Sequence, residues 1–252
     1  MHVHKIIRSK MKKTIPLLED PILSRHVPET HWFSKENLKR MVQSYPQVYI
    51  KPNEGRKGSG ISRVKRISNS EYELSYENIT KIVSFPELVK DLRGRFSTGR
   101  SYLVQQGIDL ATFNEGPFHI RVVMQKVMNC WRLSLMSGVV AKQKDAVVTN
   151  IAKGNYDLPL EEVLQKNDQK LNPISTLREL TDLSHQIVHV LGSSFPLLVL
   201  GLDMAIDKQG KVWFIEANTN PDSKGLEKVN DKVSYQKYLD AKKWIRENQE
   251  RS

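Results

Sequence analysis

The chain has 252 residues, of which 39% are hydrophobic, so it is long enough to bury a core in one large domain or two closely packed lobes. A single cysteine, Cys130, excludes an internal disulfide and favours a reducing compartment, which predicts a cytoplasmic protein. The formal net charge is +11, and residues 1–66, with 15 Lys and Arg against 5 Asp and Glu, hold +10 of it. This concentration predicts a local binding site for a polyanion.

No segment of the sequence is expected to enter a membrane. The start of the chain is basic but lacks the apolar core of about 7–15 residues that an export signal needs. The most apolar stretch, residues 197–206, is shorter than the roughly 20 residues that span a bilayer, and Asp203 interrupts it. We therefore expect a protein without membrane insertion.

The first 108 residues predict an α+β lobe preceded by a basic segment. Residues 1–13 carry five basic side chains and no acidic one, and are interpreted as a solvated arm or as the first turns of a helix. A helix is predicted from its capping residue Ser34 to Pro46, and another from a capping box of Ser84 and Glu87. Strands are predicted at 48–52, from 61, near 72–76, at 79–83 and at 102–106, followed by a candidate hinge at Gly107.

The remaining residues predict a second α+β lobe built on two hairpins. Its strands are predicted at 119–127, 131–141, 198–206 and 212–217. A helix capped by Thr176 and Glu179 should end at Gly192, and a solvated helix should begin near Ser234. The second hairpin places Asp203 on a strand beside the last one.

Three oxygen-bearing side chains on the last two strands predict a magnesium site. Glu216 and Asn218 end an apolar strand, and Asp203 interrupts the apolar strand that pairs with it. Mg²⁺ is usually held by one or two carboxylates plus substrate phosphates. These three side chains are therefore sufficient ligands if a bound nucleotide supplies the phosphates. The alternative is a loop-end asparagine with two solvated acids. Carboxylates within apolar runs are costly without a partner, which favours the metal.

Lys51 and the glycine-rich loop that follows it predict a contact with phosphate. Lys51 lies in a short strand, and residues 55–60, Gly-Arg-Lys-Gly-Ser-Gly, can present backbone N–H groups to an anion. The loop lacks the Gly-Lys-Ser/Thr of a P-loop, and an ordinary hairpin loop is equally compatible with it. Arg121, within a strand, could brace a transferred phosphoryl group. A structural hydrogen bond is the competing interpretation for Arg121 and for Asn150.

Five sequence blocks carry a resemblance to a known family. They are Tyr-Ile-Lys-Pro-x5-Gly-x-Gly-Ile (49–61), Tyr-Leu-Val-Gln-Gln-Gly-Ile (102–108), Phe-His-Ile-Arg (118–121), Val-Thr-Asn-Ile-Ala-Lys-Gly (148–154), and Leu-Asp-Met-Ala-Ile-Asp with Val-Trp-Phe-Ile-Glu-Ala-Asn (both within 202–218). Together with Val-Pro-Glu-Thr (27–30), they resemble the YheC/YheD group of endospore coat-associated ATP-grasp proteins. The resemblance implies an α+β ATP-grasp fold with nucleotide bound between the sheets of two lobes. It also implies a basic segment at 1–26, an N-terminal lobe with the glycine-rich lid at 27–108, and a C-terminal lobe with the Mg²⁺ site at 109–252.

The resemblance implies a binding site for ATP and Mg²⁺. Lys51 would contact the α- and β-phosphates under a flexible glycine-rich lid, and Asp203, Glu216 and Asn218 would bind one or two Mg²⁺. The implied nucleotide-binding residues are Lys51, Arg56, Lys57, Gly58, Ser59, Gly60, Gln105, Gln106, Ile108 and Asp109. Of these, Gln105, Gln106 and Ile108 would line the adenine pocket, and Asp109 is the nearest acid to the ribose. Arg121, Lys142 and Asn150 would face the reacting group.

The implied activity is that of an ADP-forming carboxylate–amine ligase acting through an acyl phosphate. The carboxylate and amine substrates are unknown, with peptides and spore-coat components as candidates, and the protein would be cytoplasmic with an association with the endospore coat. The alternative is a catalytically degenerate nucleotide-binding protein that serves coat assembly. Nucleic acid is not an expected partner, because residues 1–66 show neither aromatic stacking residues nor a groove-reading helix. Three positions differ from the family pattern: His119 for Asp, Lys142 for Arg and Asn155 for Gly.

Overall fold

Two antiparallel β-sheets, one on each side of a cleft, organise the chain. The structure is a computed structural model that describes residues 3–55, 58–142 and 155–249. Within these ranges each sheet has six strands, and each lobe has its own main hydrophobic cluster. Arg56, Lys57 and Asn150 lie outside the described residues, so the roles assigned to them stay predictions.

The helices and strands follow the predicted α+β pattern. The described helices are α1 (Lys10–Glu19), α2 (Lys35–Ser44), α3 (Phe85–Gly94), α4 (Leu160–Lys166), α5 (Pro173–Ser194) and α6 (Lys232–Gln249). The strands of the first sheet are β1 (Thr30–Trp32), β2 (Gln47–Pro52), β3 (Ser62–Arg66), β4 (Glu71–Tyr76), β5 (Ile79–Ser84) and β6 (Tyr102–Gln106). They lie in the order β1-β6-β2-β3-β4-β5, which makes β2 and β6 neighbours within the sheet.

Helix α2 shows how local sequence builds the first lobe. The Ser34 hydroxyl accepts a hydrogen bond from the backbone N–H of Asn37 at 3.0 Å and caps the helix. Leu38, Met41 and Val42 then recur on one face and are buried in the core of the lobe. The helix ends at Ser44, and the chain is extended at Tyr45, before Pro46. The predicted helix is therefore confirmed.

The second sheet carries the two predicted hairpins. Its strands are β7 (Thr112–Phe113), β8 (Gly116–Val127), β9 (Cys130–Val140), β10 (Tyr156–Leu158), β11 (Val199–Ile206) and β12 (Val212–Asn218). The order is β10-β9-β8-β11-β12, with β7 beside β8. Strand β12 is therefore at an edge of the sheet, and β11 lies between it and β8.

Helix α5 departs from its predicted ends. It begins at Pro173, where the Asn172 side chain caps it by accepting from the Ser175 N–H at 2.9 Å, so Thr176 is not the cap. It also continues past Gly192 to Ser194. A Cβ at Gly192 would lie 3.0 Å from the Trp131 indole nitrogen, so this glycine permits close packing of the helix on the sheet and does not end it.

The basic N-terminal segment is packed against the second lobe, and residues 10–13 form the first turn of α1, so the helix alternative is confirmed there and the solvated arm is wrong for the described residues. The Ser9 hydroxyl caps α1, and Ile7, Leu17 and Leu23 belong to the core cluster of the second lobe. Lys10 is buried as well. Apolar burial of this kind is favourable enough to hold the segment in place. Among the described helices, none combines the length and apolar character needed to cross a bilayer.

Candidate active site

A cleft of about 1160 Å³ lies between the two lobes and is here called the main cleft. The first lobe lines it with side chains of β2 and β6, and the second lobe lines it with side chains of β8, β11 and β12. The predicted site residues among its lining are Lys51, Gly58, Ser59, Gln105, Gln106, Ile108, Asp109, Arg121, Asp203, Glu216 and Asn218. The fold thus gathers most of the predicted site residues from distant parts of the sequence.

The three predicted metal ligands meet on two paired strands. Asp203 of β11 lies directly opposite Glu216 of β12, and Asn218 lies opposite Gly201 two pairs further along. The Asn218 amide nitrogen donates to Asp203 Oδ2 at 3.3 Å. Two carboxylates and one amide therefore share one small region of the cleft wall, as the predicted hairpin required.

Cationic side chains neutralise both carboxylates. Arg121 Nε, on the neighbouring strand β8, donates to Asp203 Oδ1 at 3.3 Å. The Lys10 ammonium lies 3.0 Å from Glu216 Oε1 and donates to the Gly55 carbonyl at 3.3 Å. Sequence reasoning missed Lys10. Helix α1 carries it into the site, and the apolar residues Met11, Leu17 and Leu18 were the sequence signal that this helix would pack.

His119 contributes no charge to this cluster at neutral pH. Burial lowers its pKa to about 4, although Asp203, whose Oδ1 lies 3.9 Å from Nε2, acts to raise it. The imidazole is therefore neutral beside Asp203.

The donor set fits Mg²⁺ when phosphates complete the coordination. Within the described ranges no group of three or more His, Cys, Asp or Glu side chains could hold a metal ion alone. Asp203, Glu216 and Asn218 offer two carboxylates and one amide oxygen, the kind of partial oxygen set that Mg²⁺ uses with a nucleotide. Because both carboxylates already have cationic partners, they are held at the cleft wall before a metal binds.

Lys51 is a buried cation on the opposite wall. Its ammonium donates to Gln105 Oε1 at 2.7 Å, and the Gln105 amide donates in turn to Thr30 Oγ1 at 2.9 Å. Burial lowers the pKa of Lys51 to about 8, while the nearby Glu216 carboxylate raises it and Lys10 lowers it further. An anion bound in the cleft would replace the hydration that this ammonium has lost.

Gln47 holds Gly107 and Ile108, the residues that follow β6, by two hydrogen bonds. The Gln47 side chain donates to the Ile108 carbonyl at 3.1 Å, and the Gly107 N–H donates to the Gln47 carbonyl at 2.9 Å. A Cβ at Gly107 would lie 2.4 Å from Gln47 Cγ, so only glycine fits this close approach. Asp109 is exposed, and its Oδ1 lies 2.9 Å from the Lys208 ammonium.

Lys142 does not join the other predicted catalytic residues. It follows β9, its side chain is exposed, and it is not part of the described lining of the main cleft. Its backbone N–H donates to Asn155 Oδ1 at 3.4 Å. Of the three residues predicted to face the reacting group, Arg121 is the one placed in the cleft, while Asn150 is outside the described residues.

Each lobe consists of an antiparallel sheet with helices, and the cleft between the lobes has a buried lysine on one wall and two neighbouring acids on the other. This arrangement is that of the ATP-grasp class. The chain belongs to the YheC/D like ATP-grasp family, whose model matches residues 4–242. This confirms the family and the fold inferred from the sequence blocks.

Two curated relatives come from Bacillus subtilis (strain 168). The endospore coat-associated protein YheD is 26% identical over 228 residues, which are 87% of this chain and 47% of that protein. The endospore coat-associated protein YheC is 21% identical over 227 residues, which are 88% of this chain and 62% of that protein. The chain thus spans about half to three fifths of the length of these relatives.

Solved structures share the fold at low identity. The ATP-grasp ligase PsnB complexed with minimal precursor matches with a TM-score of 0.54 and 15% identity, covering 93% of this chain and 60% of that chain. The N5-carboxyaminoimidazole synthetase from Staphylococcus aureus complexed with ADP matches with a TM-score of 0.53 and 9% identity, covering 87% of this chain and 46% of that chain. At these identities the likeness establishes the fold.

Proposed function

We propose that this chain binds Mg-ATP in the main cleft and acts as a carboxylate–amine ligase through an acyl phosphate. The observation that carries the proposal is the direct pairing of Asp203 with Glu216 on one wall, within electrostatic range of the buried Lys51 ammonium on the other. A ligand that combines phosphates with a divalent cation satisfies both walls at once. Complexes of fold relatives with ADP are consistent with this choice.

The nucleotide would lie along β2 and β6. Lys51 would bind the α- and β-phosphates, and the backbone around Gly58 and Gly60, both at positive φ, would approach them closely. Gln106 and Ile108 would border the adenine, with Gln105 oriented by its bond to Lys51. Asp203, Glu216 and Asn218 would hold Mg²⁺, which would supply positive charge to the phosphates.

The proposed reaction has two steps. A carboxylate oxygen of the first substrate attacks the γ-phosphorus of ATP, the bond from phosphorus to the β–γ bridging oxygen breaks, and ADP leaves. The amine nitrogen of the second substrate then attacks the acyl carbon, inorganic phosphate leaves, and the nitrogen loses a proton. Arg121, whose guanidinium is fixed against Asp203, would supply positive charge where the phosphoryl group is transferred.

A second candidate function is nucleotide-dependent assembly within the spore coat without ligation. The observation that favours it is that both relatives, YheD and YheC, are endospore coat-associated proteins. Under this proposal the protein acts in the cytoplasm of the sporulating cell and at the coat. Each ligation releases one ADP, so binding of Mg-ATP without ADP release in the presence of extract from sporulating cells would contradict ligation and favour assembly.

The metal site is tested by Glu216→Gln, which keeps the shape of the side chain and removes the charge. We expect Mg-dependent ATP affinity, measured by calorimetry, to fall by at least about tenfold, since a carboxylate ligand is lost. The matched control is Glu162→Gln, because Glu162 lies on α4 and pairs with the exposed Lys166 away from the cleft. Equal affinity in both variants would contradict the assignment.

A further inference from the structure

A second cleft of about 580 Å³ adjoins the main cleft and is here called the side cleft. Gly55, Glu216, Asn218 and Asn220 border both clefts. The rest of its lining comes from the N-terminal segment, from residues 53–54 and 99–101 of the first lobe, and from Thr219. A molecule in the side cleft would therefore reach the proposed metal ligands from a region outside the predicted nucleotide site.

The N-terminal segment fixes one wall of the side cleft to both lobes. The Ile7 N–H donates to Thr219 Oγ1 of the second lobe at 2.9 Å. The Met11 N–H donates to Asn53 Oδ1 of the first lobe at 3.0 Å, and the Lys10 N–H donates to the Asn53 carbonyl at 2.9 Å. Arg8 lies between these anchored residues, so its backbone position is set by both lobes.

The side cleft is rich in cations. Arg8, Lys13 and Arg100 line it, against the acids Glu54 and Glu216. Glu216 is already paired with Lys10, which leaves an excess of positive charge. Among the described residues neither Arg8 nor Arg100 forms an ion pair, and both are exposed. Two guanidiniums, one from the N-terminal segment and one from the first lobe, thus border one polar cavity without carboxylate partners of their own.

We propose that the side cleft binds the acid substrate of the ligase, and that this substrate carries at least one carboxylate besides the one that reacts. This inference rests on the proposed function. The reacting carboxylate belongs at the border with the main cleft, beside Glu216 and Asn218. Arg8 and Arg100 then bind further carboxylates, because the planar guanidinium forms two parallel hydrogen bonds with such a group. The cavity volume suits a small polycarboxylic acid or a short acidic peptide segment.

The test measures binding of a labelled tetraglutamate peptide by fluorescence anisotropy, at about 150 mM salt and without nucleotide. We expect the double variant R8Q/R100Q to bind the peptide at least about tenfold more weakly than the wild type, because two charge-assisted contacts are lost. The matched control R178Q removes an exposed arginine of α5 that lines neither described cleft, and should bind within about twofold of the wild type. Equal melting temperatures show that the exposed substitutions leave the fold intact.

Further probes identify the ligand class. Free glutamate and a Glu-Glu dipeptide as competitors distinguish a small acid from a peptide segment, and either result agrees with the proposal. Equal affinity for a tetraglutamine peptide, equal binding by R8Q/R100Q, or stronger competition by a short single-stranded RNA would overturn it. Because no nucleotide is present, arginine-dependent binding in a protein that fails to bind Mg-ATP would refute the ligase function and still support a binding site for an acidic ligand.

Discussion

The two walls of the main cleft differ in the charged groups they offer a ligand, and each wall belongs to a different lobe. The first-lobe wall presents Lys51, Arg63 and Lys65, whereas the second-lobe wall presents Asp203 and Glu216, each beside one cationic partner. A phosphate suits the cations of the first wall, whereas the carboxylate oxygens of the second wall suit a divalent cation. A metal–phosphate complex satisfies both. The division of charge between lobes therefore specifies the ligand more closely than either wall alone.

Removing the Lys51 ammonium from the first wall should have the largest effect on ATP affinity. Lys51→Met keeps the buried methylene stem and removes the ammonium, so about 1.5–3 kcal/mol of charge-assisted binding, or about 10–100-fold in ATP affinity, should be lost. Calorimetry measures the change. Lys81→Met is the control, since the Lys81 ammonium pairs with Asp91 on the surface of the same lobe, 2.6 Å away. Loss of affinity within threefold for Lys51→Met would show that the first wall does not bind phosphate.

The charge of the first wall should also depend on pH. Burial lowers the pKa of Lys51 to about 8 from an ordinary value of 10.5, so the folded protein loses this charge at a lower pH than the unfolded chain does. ATP affinity should then fall as pH rises through about 8, by up to tenfold per pH unit, because the neutral amine binds phosphate poorly. The same linkage makes burial of Lys51 less costly above pH 8, so its contribution to stability improves between pH 8 and 10.5.

Comparing the wild type with Lys51→Met separates the titration of Lys51 from that of other groups in the cleft. Burial also lowers the pKa of Lys13 to about 8, with Glu216 raising it and Lys10 lowering it. Affinity measured from pH 7 to 9.5 should therefore decline more steeply in the wild type than in Lys51→Met. Parallel curves for the two proteins would show that Lys51 is not the group responsible.

A smaller effect, on stability, is expected when Lys10 of α1, which neutralises Glu216 on the second wall, is replaced. Lys10→Met removes the cationic partner of Glu216 and leaves this partly buried carboxylate unpaired. The free energy of unfolding should therefore fall by about 1 kcal/mol. Urea denaturation measures the loss. Lys12→Met, at an exposed position of the same helix, is the control and should change stability by less than about 0.5 kcal/mol. Equal stability of the two variants would mean that the Lys10 contact with Glu216 contributes nothing.

The sequence predicted the second wall well because its information is local. Alternating apolar residues define β11 and β12, the turn between them makes them pair, and pairing alone brings Asp203 opposite Glu216. The capping residue and apolar spacing of α2 are local signals of the same kind. Each of these features depends on residues close together in the chain.

What the sequence did not reveal depends on long-range packing. Lys10 reaches Glu216 because α1 docks on the second lobe, and no local pattern records a contact between residues so far apart. The charge excess of residues 1–66 did predict a polyanion site, but it could not say which lysines would be buried there. Lys142 shows the converse, since its position in a family pattern did not place its exposed side chain in the cleft.

The central claim, that opposite walls bind one metal–phosphate ligand, is tested most directly by titrating the intact wild-type chain with ATP in the presence and absence of Mg²⁺. We predict saturable binding with Mg²⁺ and affinity at least about tenfold weaker without it, because without the metal nothing links the phosphates to Asp203 and Glu216. Equal affinity with and without Mg²⁺, or no binding of ATP in either condition, would contradict the account.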